Sequence, residues 1–509
     1  MAYGNRRIIR RLVKEILLTT INAKWIHPSL ALRLLKANLG ALEEKCKIAE
    51  FALRQPLREK TDAILASRPR ILGISVSIWN HTATIELLDT LEEFWERQNS
   101  PQAARPIVVL GGPEVSHLPQ NAEIFRFADY VICGEGEIAF RQLCEKILSE
   151  AGPHQKQTAE IPPEIPPEFP AQFIDAQPVS PAEIKSAYHL YTEEDLARKL
   201  IYVESSRGCP FSCEYCLSSV KHPGTSAQAI TAKLPVREFA AEKFLAEMDL
   251  LINRGAKTFK FLDRTFNSNI KRAVQIIEFF LKKLKENKTF VVHFEIVPSI
   301  LPQEFLEALS QFPPDSLRLE IGIQTLNPKV ASLISRPSNP AKELENLRRL
   351  RKNTNAIIHA DLIAGLPGED LASFGRGFDL LWQTLSQPEP SSATLREKES
   401  KKFEIQLGIL KLLPGASISR HNETYKMRYN PLPPYEIEET INMNADEISR
   451  IKNFARFWET IVNHGLLNIE DNKETFVRFM ALSDSLFAHF GRNWGIDKFE
   501  LKKIISCIW

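Results

Sequence analysis

An α/β protein with two parallel sheets and a small helical region at its end is what the sequence predicts. Three observations predict it. Residues 14–150 alternate short apolar runs with helical patterns, residues 201–420 do so again, and a proline-rich stretch stands between them. Strands and helices in strict alternation argue parallel sheets covered by helices. At 509 residues the chain is too long for one core. Its 44% apolar and 25% charged residues are those of an ordinary globular protein.

In the first block the strand candidates are "KEILLTTI", "KIAEFAL", "RILGISVSIW", "PIVVLGGP" and "ADYVICGEGE". Five strands fit a flavodoxin-like (Rossmann-type) doubly wound order. Ligands of such a sheet sit beyond the strand carboxyl ends, at the switch point. Residues 151–200, with "AEIPPEIPPEFPAQ", read as an extended linker, because proline fixes φ and removes donors. From Ile201 six more strands follow: "IYVESS", "TFKFLD", "FVVHFEI", "LRLEIGIQ", "AIIHADLIAGLPG" and "FEIQLGILKLLPG". Six βα units suit a partial (β/α)6 TIM-like barrel, with active groups at strand carboxyl ends. The polar run 386–402 reads as an insertion. Residues 421–509 form a helical, aromatic-rich C-terminal extension.

Sixty-five basic against 63 acidic residues leave no global field to draw the chain to nucleic acid or a charged membrane. The opening "MAYGNRRIIRRLVKEILLTTI" has an apolar stretch broken by charges and does not read as a signal peptide. No apolar run approaches the roughly 18–20 residues that span a bilayer. The expected location is cytoplasmic.

"RGCPFSCEYCLSS", Arg207–Ser219, holds three of the seven cysteines on the loop after the first strand of the second block. A disulfide reading leaves one thiol over and conflicts with a reducing compartment. Structural zinc takes four protein ligands, and no second close cysteine pair exists, although a three-ligand catalytic zinc stays open. Soft thiolates suit an iron–sulfur cluster better. Cys209, Cys213 and Cys216 would hold three irons of a [4Fe–4S] cube and leave the fourth iron open to a ligand. Further on, Glu320 and Gln324 are polar residues of like parity in an apolar strand, so both should face the barrel lumen.

C-x-x-x-C-x-x-C after the first strand of a six-unit barrel, with Tyr215 before the last cysteine, resembles the radical S-adenosylmethionine (SAM) enzymes. The resemblance implies that the open iron chelates SAM and that electron transfer yields a 5′-deoxyadenosyl radical. "FLDRTFN" (261–267) is similar to that family's D-x-x-F-N variant and departs from the commoner Gly-Gly-Glu. It makes Asp263 and Asn267 candidates for the SAM amine, a cap on the next helix being the alternative for Asp263. Glu320 and Gln324 are then partners for SAM's ribose and carboxylate. Gly365 and Gly368 in "DLIAGLPGE" would let backbone approach the adenine.

A flavodoxin-like domain ahead of such a barrel resembles the cobalamin-dependent class of these enzymes. The stretches "SVSIWN" (75–80), "GGPEVS" (111–116) and "GEGE" (134–137) carry the likeness. It implies that Ser75 and Ser77 flank the nucleotide tail of cobalamin, and that Gly111, Gly112, Gly134 and Gly136 permit backbone contact with the corrinoid. Tight turns before helices are the plainer reading of those glycines. The loop "TTINAKWIHPSL" lacks the D-x-H-x-x-G of histidine-ligated relatives. His27 is expected to be a surface or capping histidine and the cobalamin to lack a histidine ligand. For Trp25, Ile26 and Trp79, core packing is the plain expectation and corrin shielding the alternative.

The resemblance implies a cobalamin-dependent radical SAM enzyme of methyltransferase type, served by a flavodoxin- or ferredoxin-type electron donor. Rearrangement or cyclisation without methylation, and a non-catalytic cobalamin or redox sensor, are the alternatives. A methylthiotransferase would need Cys46, Cys133 and Cys144 to hold a second cluster, and Cys144 reads as core. The substrate is left open among a small metabolite, a lipid precursor and a peptide.

Overall fold

The computed structural model describes residues 14–97, 105–149, 171–220, 235–286, 288–386, 403–467, 469 and 474–508. The basic opening, most of the proline-rich run and the insertion at 387–402 lie outside the described residues. The chain divides into two compact units at Lys199 and Leu200. Among the described residues no helix is long and apolar enough to cross a membrane.

The first unit holds β1 (Ile16–Asn22), β2 (Cys46–Ala52), β3 (Ile71–Ser75), β4 (Ile107–Gly111), β5 (Tyr130–Gly134) and β6 (Gln172–Ala176). Their order is β2-β1-β3-β4-β5-β6, every pair parallel. The first five match the expected doubly wound order. β6 is an added edge strand inside the stretch read as linker, where "QFIDA" carries too short an apolar pattern to announce itself. β1 is buried along six of its seven residues, as a central parallel strand covered on both faces must be. One face packs Leu17, Ile21, Leu72 and Leu110; the other packs Ile16, Leu18, Ile71 and Val109. The chain reverses direction across the sheet between β1 and β3, which places the switch point at their carboxyl ends.

The second unit starts with β7 (Ile201–Val203), then a short antiparallel pair, β8 (Ser206–Arg207) and β9 (Arg237–Glu238). β10 (Thr258–Phe261), β11 (Val291–Ile296), β12 (Leu317–Gln324), β13 (Ile357–Ala364) and β14 (Phe403–Ile409) complete an open parallel sheet ordered β14-β13-β12-β11-β10-β7. These strands alternate. Phe259, Phe294, Leu319, Ile321, Ile358 and Ile405 are buried against the helices, while their neighbours in sequence turn to the opposite, concave face.

Beyond β14 lie a hairpin, β15 (Arg428–Tyr429) and β16 (Ile437–Glu439), and helices Ala445–Trp458, Thr475–Phe490 and Lys498–Ile508. The helical region therefore begins later than residue 421. Asn444 and Glu447 form a capping box at the first of these helices. An aromatic cluster fixes the region to helix Leu371–Ser386: the Phe378 ring meets Trp458 at 4.8 Å and Phe454 at 5.3 Å. Such pairs add about 0.5–1.5 kcal/mol each beyond area burial.

Candidate functional site

The loop leaving β7 carries Cys209, Cys213 and Cys216 as free thiols; Cys213 is buried and the other two are half-buried. Asp263, just past β10, holds the root of that loop. Its carboxylate accepts from the Ser205 N–H (2.9 Å), Ser205 Oγ (2.6 Å) and Ser206 Oγ (2.7 Å). Burial pushes the Asp263 carboxyl up while the serine donors oppose it. Helix Ile270–Lys285 is capped by Asn269, so Asp263 is not that helix's cap. Thr265 Oγ1 stands 3.5 Å from Cys209 Sγ. Asn267 is fully buried and spends its amide on Val297 O (2.9 Å), Ile300 O (2.6 Å) and the Val297 N–H (3.0 Å). The "LDRTFN" stretch thus braces both the cysteine loop and the loop after β11.

The middle of the cysteine loop is held by Glu214. Its carboxylate accepts from Arg420 (2.6 and 2.8 Å), from Ser335 Oγ (2.5 Å) and pairs with His421 Nε2 (2.9 Å). Burial alone would raise the Glu214 pKa; Arg420, Ser335 and His421 outweigh it and hold it below the usual range. Arg336 lies half-buried beside Cys213 and Tyr215, and it donates to Gly322 O and, at 3.4 Å, to Tyr215 Oη. A fixed cation there lowers the cost of gathering thiolates on one loop. Burial nonetheless pushes the Cys213 thiol up.

The concave face of the second sheet carries Lys260, His293, Glu295, Glu320, His359, Asp361, Glu404 and Gln406. Glu320 faces it as parity requires. Lys260 Nζ donates to Glu320 Oε2 at 2.8 Å, and His293 Nε2 stands 3.3 Å away without hydrogen-bond alignment. His293 and Lys260 together bring Glu320 down to about 2. His359 Nδ1 pairs with Glu404 at 2.9 Å and stacks on His293, ring centroids 5.7 Å apart. Apart from Glu320, reading the sequence missed this set. The same alternation in "VHFEI", "HADLI" and "FEIQ" carries the signal.

Gln324 takes a left-handed backbone (φ 68°), and its amide folds back against Gly322 with the oxygen enclosed. At Gly365 (φ 84°) a Cβ would stand 2.5 Å from Ile437 Cγ2, so the residue is glycine because the segment after β14 packs there. Gly368 has Leu333 and Tyr425 as its neighbours.

In the first unit the strand carboxyl ends are cross-linked by Asn80. It donates to Thr20 Oγ1 (3.2 Å) and Ile21 O (3.0 Å) and accepts from the Ser77 N–H (2.8 Å). Ser75 O accepts from Thr20 Oγ1 at 2.8 Å, and Ser77 is buried. At Gly112 (φ 107°) a Cβ would press on Val76 O, so backbone packing alone demands glycine. At Gly111 a Cβ would only touch Ile132 O, at 3.6 Å; the Gly134 N–H donates to Ser116 Oγ at 3.1 Å; Gly136 packs against Leu35. Trp25 (47%), Ile26 (38%) and Trp79 (52%) are exposed rather than core, on the loops after β1 and β3 that flank the switch point. His27 is half-buried on that first loop, and the following helix is capped by Ser29. Cys46 and Cys144 lie in the core on one face of the sheet and Cys133 on the other. Burial pushes Cys46 up to about 12 and Cys133 to about 11. Three buried thiols split by a sheet cannot hold one cluster.

Residues 16–144 match the B12 binding domain, and residues 203–381 match the radical SAM superfamily. A cobalamin-dependent radical SAM methyltransferase of Streptomyces tokunonensis is 27% identical over 170 residues, 32% of this chain and 23% of that protein. An uncharacterised methyltransferase of Pyrococcus horikoshii is 24% identical over 275 residues, 52% of this chain and 54% of that protein. The chain thus spans about half or less of the curated relatives it matches. Among solved structures, the cobalamin-dependent SAM radical enzyme OxsB superposes with a TM-score of 0.60 at 16% identity, covering 96% of this chain and 74% of that one. The radical SAM methyltransferase TsrM of Kitasatospora setae gives 0.54 at 16%, covering 84% and 80%. Fold and site define a two-cofactor class, a corrinoid-binding sheet followed by a cluster-bearing partial barrel. The chain belongs to the cobalamin-binding radical SAM family.

The cofactors of that family are a [4Fe–4S] cluster, SAM and cobalamin. The thiols fit the cluster. They are free, they share one braced loop, and the half-buried Arg336 guanidinium offsets their charge. A single tetrahedral ion would draw thiolates to within about 4 Å of one another. Among the described residues no three His, Cys, Asp or Glu side chains are so arranged. A cube seats each thiolate on a different iron. The exposed Trp25 and Trp79, at the switch point, suit a broad apolar ring.

Proposed function

We propose that this chain reductively cleaves SAM and uses the resulting radical to methylate an unactivated carbon of a small-molecule or peptide substrate. The observation that carries the reading is the trio of free thiols on the loop leaving β7, in the same unit as a concave sheet face lined with ionisable groups. When bound, the cluster and SAM supply the radical, and cobalamin supplies a methyl carrier.

The residues of the chain do the rest. Cys209, Cys213 and Cys216 hold the cluster. Arg336 sets a positive charge beside it, and Glu214 pins the loop through Arg420 and His421. Asp263 and Asn267 are positioning residues for the loops above the lumen. Glu320 keeps its charge through Lys260 and is the lumen group best suited to accept from a ribose hydroxyl. Gln324 and Gly365 line the approach above it. Ser75, Ser77, Gly111, Gly112, Gly134 and Gly136 form the strand ends over which a corrinoid would lie. An electron donor of flavodoxin or ferredoxin type serves the cluster.

The test is anaerobic reconstitution with iron, sulfide and cobalamin, followed by SAM and a reductant. The expected results are a cluster signal in electron paramagnetic resonance, 5′-deoxyadenosine, and label transferred from methyl-labelled SAM to product. A cluster-loaded protein that yields no 5′-deoxyadenosine would be a sensor. Deoxyadenosine with label confined to SAM would mark a rearrangement enzyme.

A further inference from the structure

On the concave face of the second sheet the cations are unevenly shared among the carboxylates, Arg318 acting on Glu404. Lys260 and His293 both serve Glu320, and His359 serves Glu404. Glu295 stands directly beside Glu320 in the register, and Asp361 directly beside Gly322, the next inward position above Glu320. Among the described residues neither Glu295 nor Asp361 has an ion pair. Asp361 Oδ1 is enclosed and meets no donor among the described residues. Gln324 lays its amide nitrogen against Gly322, and its Oε1 is enclosed and unpartnered among the described residues as well. Among the described residues Asp361 Oδ1 and Gln324 Oε1 are therefore two enclosed acceptors without a donor, with Glu295 one inward position below on the neighbouring strand. Buried acceptors are costly when left unsatisfied, so a structure that keeps two together beside a further carboxylate has a donor to come.

We propose that Glu295, Asp361 and Gln324 Oε1 form a site for a protonated nitrogen, an alkylammonium or guanidinium group, carried by the substrate. This rests on the proposed function only in calling the ligand the substrate. An ammonium presents three N–H donors and one positive charge, which is what the three acceptors lack. Arg264, past the end of β10, is exposed, lowers Glu295 electrostatically and bonds to neither carboxylate. SAM's own amino group, if it chelates the cluster, is tied to the loop after β7, four strands along the sheet from β13. Burial and mutual repulsion keep both carboxyls reluctant to ionise: Glu295 is pushed up to about 7, and Asp361 well above its usual value, with Glu320 adding to both and Lys260 opposing. An arriving cation reverses that balance and expels protons.

Calorimetric titration of the anaerobically reconstituted protein with n-butylammonium, n-butylguanidinium and n-butanol tests the site, with SAM and methylthioadenosine titrated in parallel. The expected result is saturable binding of the cations alone. Proton release should show as a buffer-dependent enthalpy near pH 7, and Asp361→Asn and Glu295→Gln should each weaken binding by about tenfold or more. SAM affinity should hold in both variants. The proton release is read on the unmodified protein, so it stands even if a variant folds poorly. Butylammonium binding no better than butanol overturns the proposal. So does a variant that loses SAM affinity but keeps methylthioadenosine, because the pair would then serve SAM. A melting temperature for Asp361→Asn several degrees below the parent would also overturn it, since replacing an unpartnered enclosed carboxyl by an amide of the same shape should not destabilise. Failure to form 5′-deoxyadenosine in the parent would refute the proposed function while leaving the cation titration readable.

Discussion

The two sheets have the same number of strands and the same parallel sense, yet they offer chemistry in different places. β1, β3 and β4 are buried along nearly their whole length because helices cover both faces. Their polar side chains are spent on bonds within the sheet: Thr19 donates to Ala49 O, and Asn80 and Thr20 tie the strand ends together. β11, β12 and β13 largely alternate, with fully buried residues on one face and mostly half-buried, ionisable ones on the other. The first sheet can bind only with its edge; the second can also bind with the strands themselves. A parallel sheet bends toward one use or the other according to whether its strands read as runs or as alternations.

The largest effect expected is at the cysteines. Changing Cys209, Cys213 or Cys216 to Ala should abolish cluster loading and 5′-deoxyadenosine formation, measured by iron content and product. Comparable loss from a single residue at the edge of the first sheet would break the contrast, since that edge spreads its function over many contacts. Next comes Glu214→Ala, which strands His421 and Arg420 beside an emptied pocket. It should cost about 1–3 kcal/mol in denaturant unfolding, with a mobile cysteine loop. In the first unit Asn80→Ala should cost about 1–3 kcal/mol and weaken cobalamin retention with no change in cluster content.

The concave face sharpens the contrast through pH. Glu320, held at about 2, contributes stability present above its unfolded value of 4.5 and lost as pH falls from there. Glu295, raised to about 7, works the other way: the folded state binds its proton more tightly, so stability falls as pH rises from 4.5 to about 7. Glu320→Gln should flatten the acid limb of the stability profile and Glu295→Gln the neutral limb. If both flatten the same limb, the ionic assignments are wrong. The smallest effect is on folding at Trp79, which is exposed. Trp79→Ala should change stability by less than about 0.5 kcal/mol and still lower corrinoid retention.

Much of this was legible. The three cysteines, the doubly wound order and the partial barrel follow from spacing and alternation. β6 escaped because five residues beside prolines give too little pattern. Parity was applied to Glu320 and Gln324 in "LEIGIQ"; applied to its neighbours, it finds His293, Glu295, His359 and Asp361. Asp263 and Asn267 were legible as polar residues at a strand end, but their bonds to Ser205, Ser206 and Val297 run between segments distant in sequence. Glycines were the least informative: the same residue type satisfies backbone contact at Gly112 and side-chain packing at Gly365.

By itself the sequence determined which residues share a face, because that depends only on the two-residue period of a strand and on covalent neighbours. It also determined the thiol trio, whose spacing is local. Only the tertiary structure decided which carboxylates keep a cation. Lys260 reaches Glu320 from 60 residues away across an intervening strand, and Glu295, directly beside Glu320 in the sheet, is left without one. Charge pairing falls off within a few ångströms, so it is settled by which strands end up as neighbours.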